Sequence, residues 1–345
     1  MPRPDAPLAA LKGRRILITG GAGMIGSTIA RQALEAGAEV TILDNMAPAY
    51  GGNLFNLDGI MDRVRFVYGD IRELPLVSEI VRGQDVIFNL AAQVSYVDSN
   101  IDPFHDLDIN CKGHLTVLEA CRLHNPKARL IFSSSRFVYG DIEYNPVDEE
   151  HPFNCLSIYG VHKLNGEKYY HFYHRAHGLE AIIFRIANPY GARQQMRHSK
   201  YGILNWFVRQ ALEGKPLTIY GDGAQKRDYV HVSDLARAML MGAAATKIKF
   251  DVFNLGTGTG LAFRDMAKIV AKTVGGTRVD LVPWPKDRYF VETGDYVTDI
   301  TKVQKALGWK PRVGIEEGIA DTVAFYRENA ARYGFAPKES PAAAR

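Results

Sequence analysis

Residues 19 to 26 read TGGAGMIG, between the β-branched run RRILIT and a segment with helical patterning from about Met24 to Ala36. Gly20, Gly23 and Gly26 have the spacing G-x-x-G-x-x-G. When a strand turns straight into a helix, the first glycine permits the tight turn and the middle one lets a pyrophosphate approach the backbone. The last lets helix and strand pack closely. This stretch therefore restricts the chain to folds in which a buried strand feeds a crossover helix past a phosphate-sized gap.

The rest of the first half obeys that restriction. The runs AEVTILD, VRFVYGD, DVIFNLA and ARLIFSS are each apolar enough to be strands buried on both faces, and helical stretches separate most of them, notably about Phe104 to His124. Strict alternation implies a parallel sheet covered on both sides, an α/β doubly wound fold of Rossmann type. A helix from about Ser157 to His177 and the strand EAIIFRI continue it. After Asn188 the alternation breaks into Gly- and Pro-rich connections around helices at about 202–213, 233–245, 262–274 and 314–331, which suits a smaller C-terminal substrate-binding α/β lobe. The expected organisation is an extension over 1–13, a dinucleotide-binding domain over 14–188 to which 228–255 returns, a substrate lobe over 189–331 and a flexible tail over 332–345. No internal repeat is visible.

Composition narrows the partners. The 345 residues are 46% hydrophobic and 23% charged, enough for a large core. The net charge of +4 (42 basic minus 38 acidic residues) is spread along the chain, whereas a nucleic-acid binder concentrates its basic side chains. The opening MPRPDAPLAALKGRR has no signal-like apolar core, and no run approaches the roughly 18 apolar residues of a membrane span, so a cytoplasmic protein is expected. Cys111, Cys121 and Cys155 show neither CxxC nor metal-ligand spacing and read as free thiols in the core; no metal is expected.

Asp44 ends the second strand, 18 residues beyond Gly26, and Asn45 follows it. A carboxylate there accepts hydrogen bonds from an adenosine ribose and repels a 2′-phosphate, so the expected cofactor is NAD, not NADP. Ligands of such sheets lie beyond the carboxyl ends of the strands. The expected cofactor surface is therefore Gly20, Gly23, Met24, Ile25, Gly26, Asp44, Asn45, Asp70, Ile71, Leu90, Ala91, Ala92 and Gln93. For Asp70, loop capping is an equally open reading.

In SIYGVHK, Tyr159 and Lys163 stand four apart on a helix and project from one face, after a serine cluster, Ser133 to Ser135, that ends a strand. Tyrosine is a poor base at its ordinary pKa near 10, but a neighbouring ammonium and an oxidised nicotinamide both favour the phenolate. The pair can then remove an alcohol proton while hydride leaves the same carbon.

With these motifs the chain resembles the extended short-chain dehydrogenase/reductases of the nucleotide-sugar epimerase/dehydratase family. The resemblance spans about residues 14 to 331 and rests on TGGAGMIG, Asp44-Asn45, NLAAQ, SSSRFVYG, YGVHK, RIANPYG and GDGAQKRDYVHV. It implies that Ser135 binds the reacting hydroxyl, that Tyr159 is the base and that Lys163 holds the nicotinamide ribose. Asn110, in INCKG, would lie near the cofactor. Ser95, Asn188 and Arg227 would contact a nucleotide-sugar substrate, while Arg193, in RQQMRHSK, either belongs to a solvated loop or faces the sugar, where it would suit a uronic acid. Arg136 is either a substrate contact or a support. Family members often carry a phosphate-binding arginine before the Gly-Asp of the C-terminal lobe; here Glu292-Thr293 precede Gly294-Asp295, and either Arg288 substitutes from upstream or the nucleotide sits differently. The long apolar loop 49–60 is expected to line the site or a dimer contact. The helices 104–124 and 157–177, with Tyr169, Tyr170 and Phe172 left over, imply a homodimer through a four-helix bundle.

Dehydratases of this family follow the active Ser/Thr with an Asp-Glu pair that eliminates water. Here those positions are Arg136 and Phe137, and uronate decarboxylases usually have a glutamate where Phe137 stands. Epimerisation needs only transient oxidation and return of hydride to the other face. The leading expectation is therefore an NAD-dependent epimerase acting at C4 of a UDP-sugar or UDP-uronic acid. A CDP-sugar 2-epimerase, a net dehydrogenase and a decarboxylase are the alternatives within the family, and a non-catalytic NAD-sensing regulator is the alternative outside it.

Overall fold

A computed structural model describes residues 7–47, 50–284 and 294–338. Its elements run β1 (Arg15–Thr19), α1 (Met24–Glu35), β2 (Glu39–Asp44), β3 (Val64–Tyr68), α2 (Leu74–Ile80), β4 (Val86–Asn89), α3 (Tyr96–Ile101), α4 (Pro103–Leu107), α5 (His114–His124), β5 (Arg129–Ser135), α6 (Ile158–His177) and β6 (Glu180–Ile186). There follow β7 (Asn188–Tyr190), α7 (Ile203–Leu212), β8 (Leu217–Tyr220), β9 (Lys226–His231), α8 (Val232–Ala244), β10 (Phe250–Leu255), β11 (Gly260–Ala262), α9 (Phe263–Val274), β12 (Val279–Val282), α10 (Thr301–Leu307) and α11 (Ile315–Asn329).

Seven strands form one sheet in the order β10-β6-β5-β4-β1-β2-β3, every pair parallel. Ile16 of β1 sits opposite Val40 of β2 on one side and Val86 of β4 on the other. Chain order therefore reverses direction at β1, and a crevice opens above its carboxyl end. One face is covered by α1 and α8, whose Ile29, Ala33, Leu235 and Met239 share a core with Ile18 and Ile42. On the other face Val77, Val117, Leu118, Tyr170 and Tyr173 of α2, α5 and α6 cover Leu17, Ile87 and Phe132. A separate core joins α7, α9 and α11 through Phe207, Met266, Ile319 and Tyr326. Around it lie a three-stranded sheet, β11-β9-β7, and the pair β12-β8.

Several expectations are corrected. β3 is the sheet edge and not buried on both faces; Tyr68 is 72% exposed. Of the stretch 228–255, α8 and β10 join the large sheet, but β9 pairs with β7 and β11 in the small one. The helix read as one unit over 104–124 is α4 and α5 joined by a π-helical turn, Asp108–Gly113, that holds Asn110. The expected flexible tail is anchored as far as Lys338: Tyr333 and Phe335 are buried in the second core, and the Lys338 amide donates to the Leu212 carbonyl at 2.7 Å. Tyr170 is not left over, because its ring stacks on Phe132 at 4.7 Å inside the core; Phe172, 59% exposed, is. Among the described residues no helix is long and apolar enough to cross a membrane.

Candidate active site

The crevice above β1 is a cleft that runs from the glycine loop to the start of α7. Its floor is set by backbone contact. Gly20 has φ +68, and a Cβ there would come within 2.9 Å of the Ala91 backbone, so glycine is what lets the ends of β1 and β4 meet. A Cβ at Gly26 would lie 2.4 Å from the Gly20 carbonyl oxygen. Thr19 joins the same two strand ends: its hydroxyl donates to Asn89 at 3.0 Å and accepts from the amides of Leu90 and Ala91 at 3.0 and 3.1 Å. Gly23 caps α1 without a side chain, so the helix presents unobstructed N–H groups where a pyrophosphate is favoured.

At one end of the cleft stand two carboxylates. Asp44 is buried and accepts from the amides of Ala22 at 3.0 Å and Met46 at 2.9 Å, which ties the glycine loop to the end of β2. Burial pushes its carboxyl above the usual range, and the two amides partly offset this. Asp70 accepts from Asn45 at 2.7 Å and from the Arg72 guanidinium at 2.8 and 2.9 Å. That guanidinium, also bound to Asp108, is the main reason the Asp70 carboxyl falls to about 2. Asn45 and Ile71 line the cleft beside it. Each Asp44 oxygen accepts one amide and retains capacity for a ribose hydroxyl, so glycine loop, helix start and carboxylate together fit a dinucleotide.

At the other end α6 meets the serine triplet that ends β5. Ser157 caps the helix by accepting from the Gly160 amide at 3.2 Å, and the first turns then carry Tyr159 and Lys163 into the cleft. Ser135 stands close enough to Tyr159 for hydrogen bonding to favour its phenolate. The Lys163 ammonium, 2% exposed, donates to the Ser133 carbonyl at 2.9 Å and lies 5.8 Å from the Tyr159 ring centre. Burial drives the Tyr159 phenol up and the Lys163 ammonium down to about 8. Desolvation therefore disfavours both charged forms, and hydrogen bonding with Ser135 is what favours the phenolate. Phe137 faces Tyr159 edge-on at 5.8 Å and stacks on Tyr96 at 5.1 Å.

Of the expected residues, Gly20, Gly23, Met24, Ile25, Gly26, Asp44, Asn45, Asp70, Ile71, Leu90, Ala91, Ala92, Ser135, Tyr159, Lys163 and Asn188 line this one cleft. Others do not. Gln93 and Asn110 are buried behind it: Asn110 bridges the Gln93 amide and carbonyl at 3.1 and 2.9 Å, and both side chains donate to Asp106. They shape the loop after β4 and do not face the cleft. Ser95 is buried as the cap of α3, accepting from the Asp98 amide at 3.0 Å. Arg136 is buried and donates to the Asn188 amide oxygen at 3.2 Å. Arg227 donates to the carbonyls of Lys226 and Gly294 at 2.9 and 2.6 Å. Arg193 lies over the Phe325 ring at 5.3 Å, on the C-terminal core. Arg288 and Glu292-Thr293 lie outside the described residues.

Sequence reasoning missed Gln194, Gln195, Tyr201, Ile203, Leu204 and Tyr229, which also line the cleft. The polar pair in RQQMRHSK was the available signal, but the arginines beside it drew the assignment. Tyr50, Gly51 and Gly52 of the long loop also line the cleft. Cys111 and Cys121 are buried and Cys155 half-buried, and burial pushes all three thiols up, so none is poised to react. Among the described residues no group of His, Cys, Asp or Glu is arranged to hold a metal ion.

Comparison with known proteins agrees with this geometry. The model of the NAD dependent epimerase/dehydratase family matches residues 16–256. The UDP-glucose 4-epimerase of Mycolicibacterium smegmatis is 34% identical over 317 residues, covering 91% of this chain and 98% of the relative. The dTDP-glucose 4,6-dehydratase of Streptomyces niveus is also 34% identical, over 339 residues, covering 95% and 96%. Among solved structures, the UDP-glucose 4-epimerase of Thermotoga maritima with UDP-glucose superposes with a TM-score of 0.82 at 31% identity, covering 92% of this chain and 99% of that one.

Proposed function

Because the chain belongs to the NAD-dependent epimerase/dehydratase family, we propose that this enzyme inverts one carbinol of a nucleotide-activated sugar, most readily C4 of a UDP-sugar. The observation that carries the reading is the placement of acids in the cleft. Among the described lining residues only Asp44 and Asp70 are carboxylic acids, and both belong to the adenosine end. A dehydratase must take a proton from the carbon beside the transient ketone and protonate the departing hydroxyl, which calls for an acid–base pair at the reacting end. That end offers Ser135, Tyr159 and Lys163, with the aromatic Phe137 beside them. Overall similarity does not decide between the two chemistries, since an epimerase and a dehydratase match equally well.

NAD supplies, when bound, the acceptor and donor of the hydride. The chain's own residues do the rest. Ser135 orients the reacting hydroxyl; Tyr159 takes its proton and later returns it, and Lys163 holds the cofactor ribose. Val94, Pro189, Ile203 and Leu204 give the cleft apolar surface between the polar side chains of Asn188, Gln194 and Gln195. Incubation with UDP-glucose, UDP-galactose, UDP-glucuronate and CDP- and dTDP-sugars tests this by product mass and stereochemistry. The expected product is a diastereomer of unchanged mass with no net NADH. A product lighter by one water, or NADH in stoichiometric yield, would overturn it.

The homodimer has its support in the exposed apolar side chains Phe104 (79%), Ile101 (75%) and Phe172 on neighbouring helices. Light scattering on the full chain should give twice the monomer mass, and Phe104→Glu should lower it; a wild-type monomer would remove the idea.

A further inference from the structure

The helix that carries Tyr159 and Lys163 does not stop there. Glu167 follows four residues later on the same face, and each of the three meets one of the three consecutive serines that end β5. Tyr159 stands beside Ser135, Lys163 donates to the Ser133 carbonyl at 2.9 Å, and Ser134 donates to Glu167 Oε1 at 2.5 Å. Glu167 is buried and lies outside the cleft lining, so it touches neither the sugar nor the cofactor surface. Behind it Arg185 of β6 closes a fork, with Nε at 3.0 and 3.2 Å and Nη2 at 2.8 Å from its two oxygens. Arg185 Nη1 also donates to Tyr139 and to the Glu149 carbonyl, both at 3.0 Å, and Tyr139 donates to Asn254 of β10 at 2.5 Å.

A carboxylate buried this deeply is costly unless its charge is matched and its lone pairs are used. Here both conditions are met, and the structure uses the group to join α6, β5 and β6 at the level of the reacting serine. Resting on the roles given above to Ser135, Tyr159 and Lys163, we propose that Glu167 is a positioning residue for the hydride chemistry: backed by Arg185, it clamps Ser134 and so holds the end of β5 in register with Tyr159 and Lys163. The middle serine, which also borders the cleft, is thereby tied from behind by Glu167. Tyr139, from the same SSSRFVYG stretch, is the far anchor of the clamp. Glu167 also contributes charge. Facing Lys163 are Asp106 from α4, Cys111 and His114 from the π turn and α5, and Glu167 from its own helix; Asp106, Cys111 and Glu167 favour the ammonium that burial opposes.

The test uses the full-length NAD-loaded chain with UDP-glucose as probe, and the cofactor-free chain for a readout that needs no turnover. Glu167→Gln keeps an acceptor for Ser134 but drops the charge. Ser134→Ala removes the rung and leaves Arg185 paired. Displacement of a reacting group by a fraction of an ångström costs rate more than affinity. Both variants should therefore lose about tenfold in kcat with KM within about twofold of wild type. In the cofactor-free chain, the pH midpoint for acetic anhydride labelling of Lys163, followed by mass spectrometry, should move to lower pH in Glu167→Gln and stay put in Ser134→Ala. Should Glu167→Gln not fold, Ser134→Ala carries the kinetic test. Unchanged kcat in folded Ser134→Ala, or an unmoved Lys163 midpoint in folded Glu167→Gln, overturns the proposal. Tyr159→Phe separates the two readings: if it is inactive while Ser134→Ala is normal, only the clamp fails, and if it turns over normally, the catalytic roles fail with it.

Discussion

The two ends of the cleft are held by different means. At the adenosine end, Asp44 is fixed by backbone amides and the glycines by their own conformation, so the surface offered to a cofactor is drawn mostly by main chain. At the reacting end, buried side chains reach across elements: Lys163 to the Ser133 carbonyl, Glu167 to the Ser134 hydroxyl and Arg185 to Glu167, and all three are nearly sealed from water. Main-chain geometry survives the loss of a single side chain, whereas a desolvated charge left without its partner costs about 3–5 kcal/mol. The contrast implies that single changes at the first end shift affinity, and that single changes at the second stop chemistry.

The sharpest way to break this contrast is Tyr159→Phe. The ring would keep its edge contact with Phe137 and only the hydroxyl would go, so packing is preserved and the Ser135 hydrogen bond is lost. Loss of a positioned acid–base group removes about 10²–10⁴-fold of rate. Turnover of the active nucleotide sugar should fall by about 10³-fold while NAD binding, followed by fluorescence titration, stays near wild type. A collapse of NAD binding in this variant would show that the two ends are not independent.

The same contrast explains what could be read from the amino-acid order. Glycine spacing, the acid at the end of a strand and a Tyr-x-x-x-Lys pair are local requirements, and each of those residues lines the cleft. The arginines could not be placed from sequence because a guanidinium's partner is not local: Arg227 donates to the Gly294 carbonyl from a segment far along the chain, and Arg136 donates to Asn188. Ser95 could have been placed correctly, since Ser95-x-x-Asp98 is a helix-start pattern. Tyr170 could have been as well: 159, 163, 166, 170 and 173 lie on one helical stripe, and that stripe is the buried one. Asn110 could not, because a π turn shifts the face on which a residue lies, and nothing in INCKG announces one.

A smaller effect is expected at the adenosine end, from Asp44→Asn. An amide has one carbonyl oxygen in place of two carboxylate oxygens, so it cannot accept from both Ala22 and Met46 while still receiving a ribose hydroxyl. Burial already raises the Asp44 carboxyl, so removing its charge relieves a desolvation cost, and the fold should tolerate the change. What is lost is a hydrogen bond to a charged acceptor, worth about 1.5–3 kcal/mol. NAD affinity should therefore fall by roughly tenfold or somewhat more. NADP, no longer repelled at its 2′-phosphate, should lose less or gain. Calorimetric titration of both cofactors into the variant measures the ratio directly. If NAD and NADP weakened in parallel, the carboxylate would be acting only as a tie for the glycine loop, and the adenosine end, too, would depend on a single side chain.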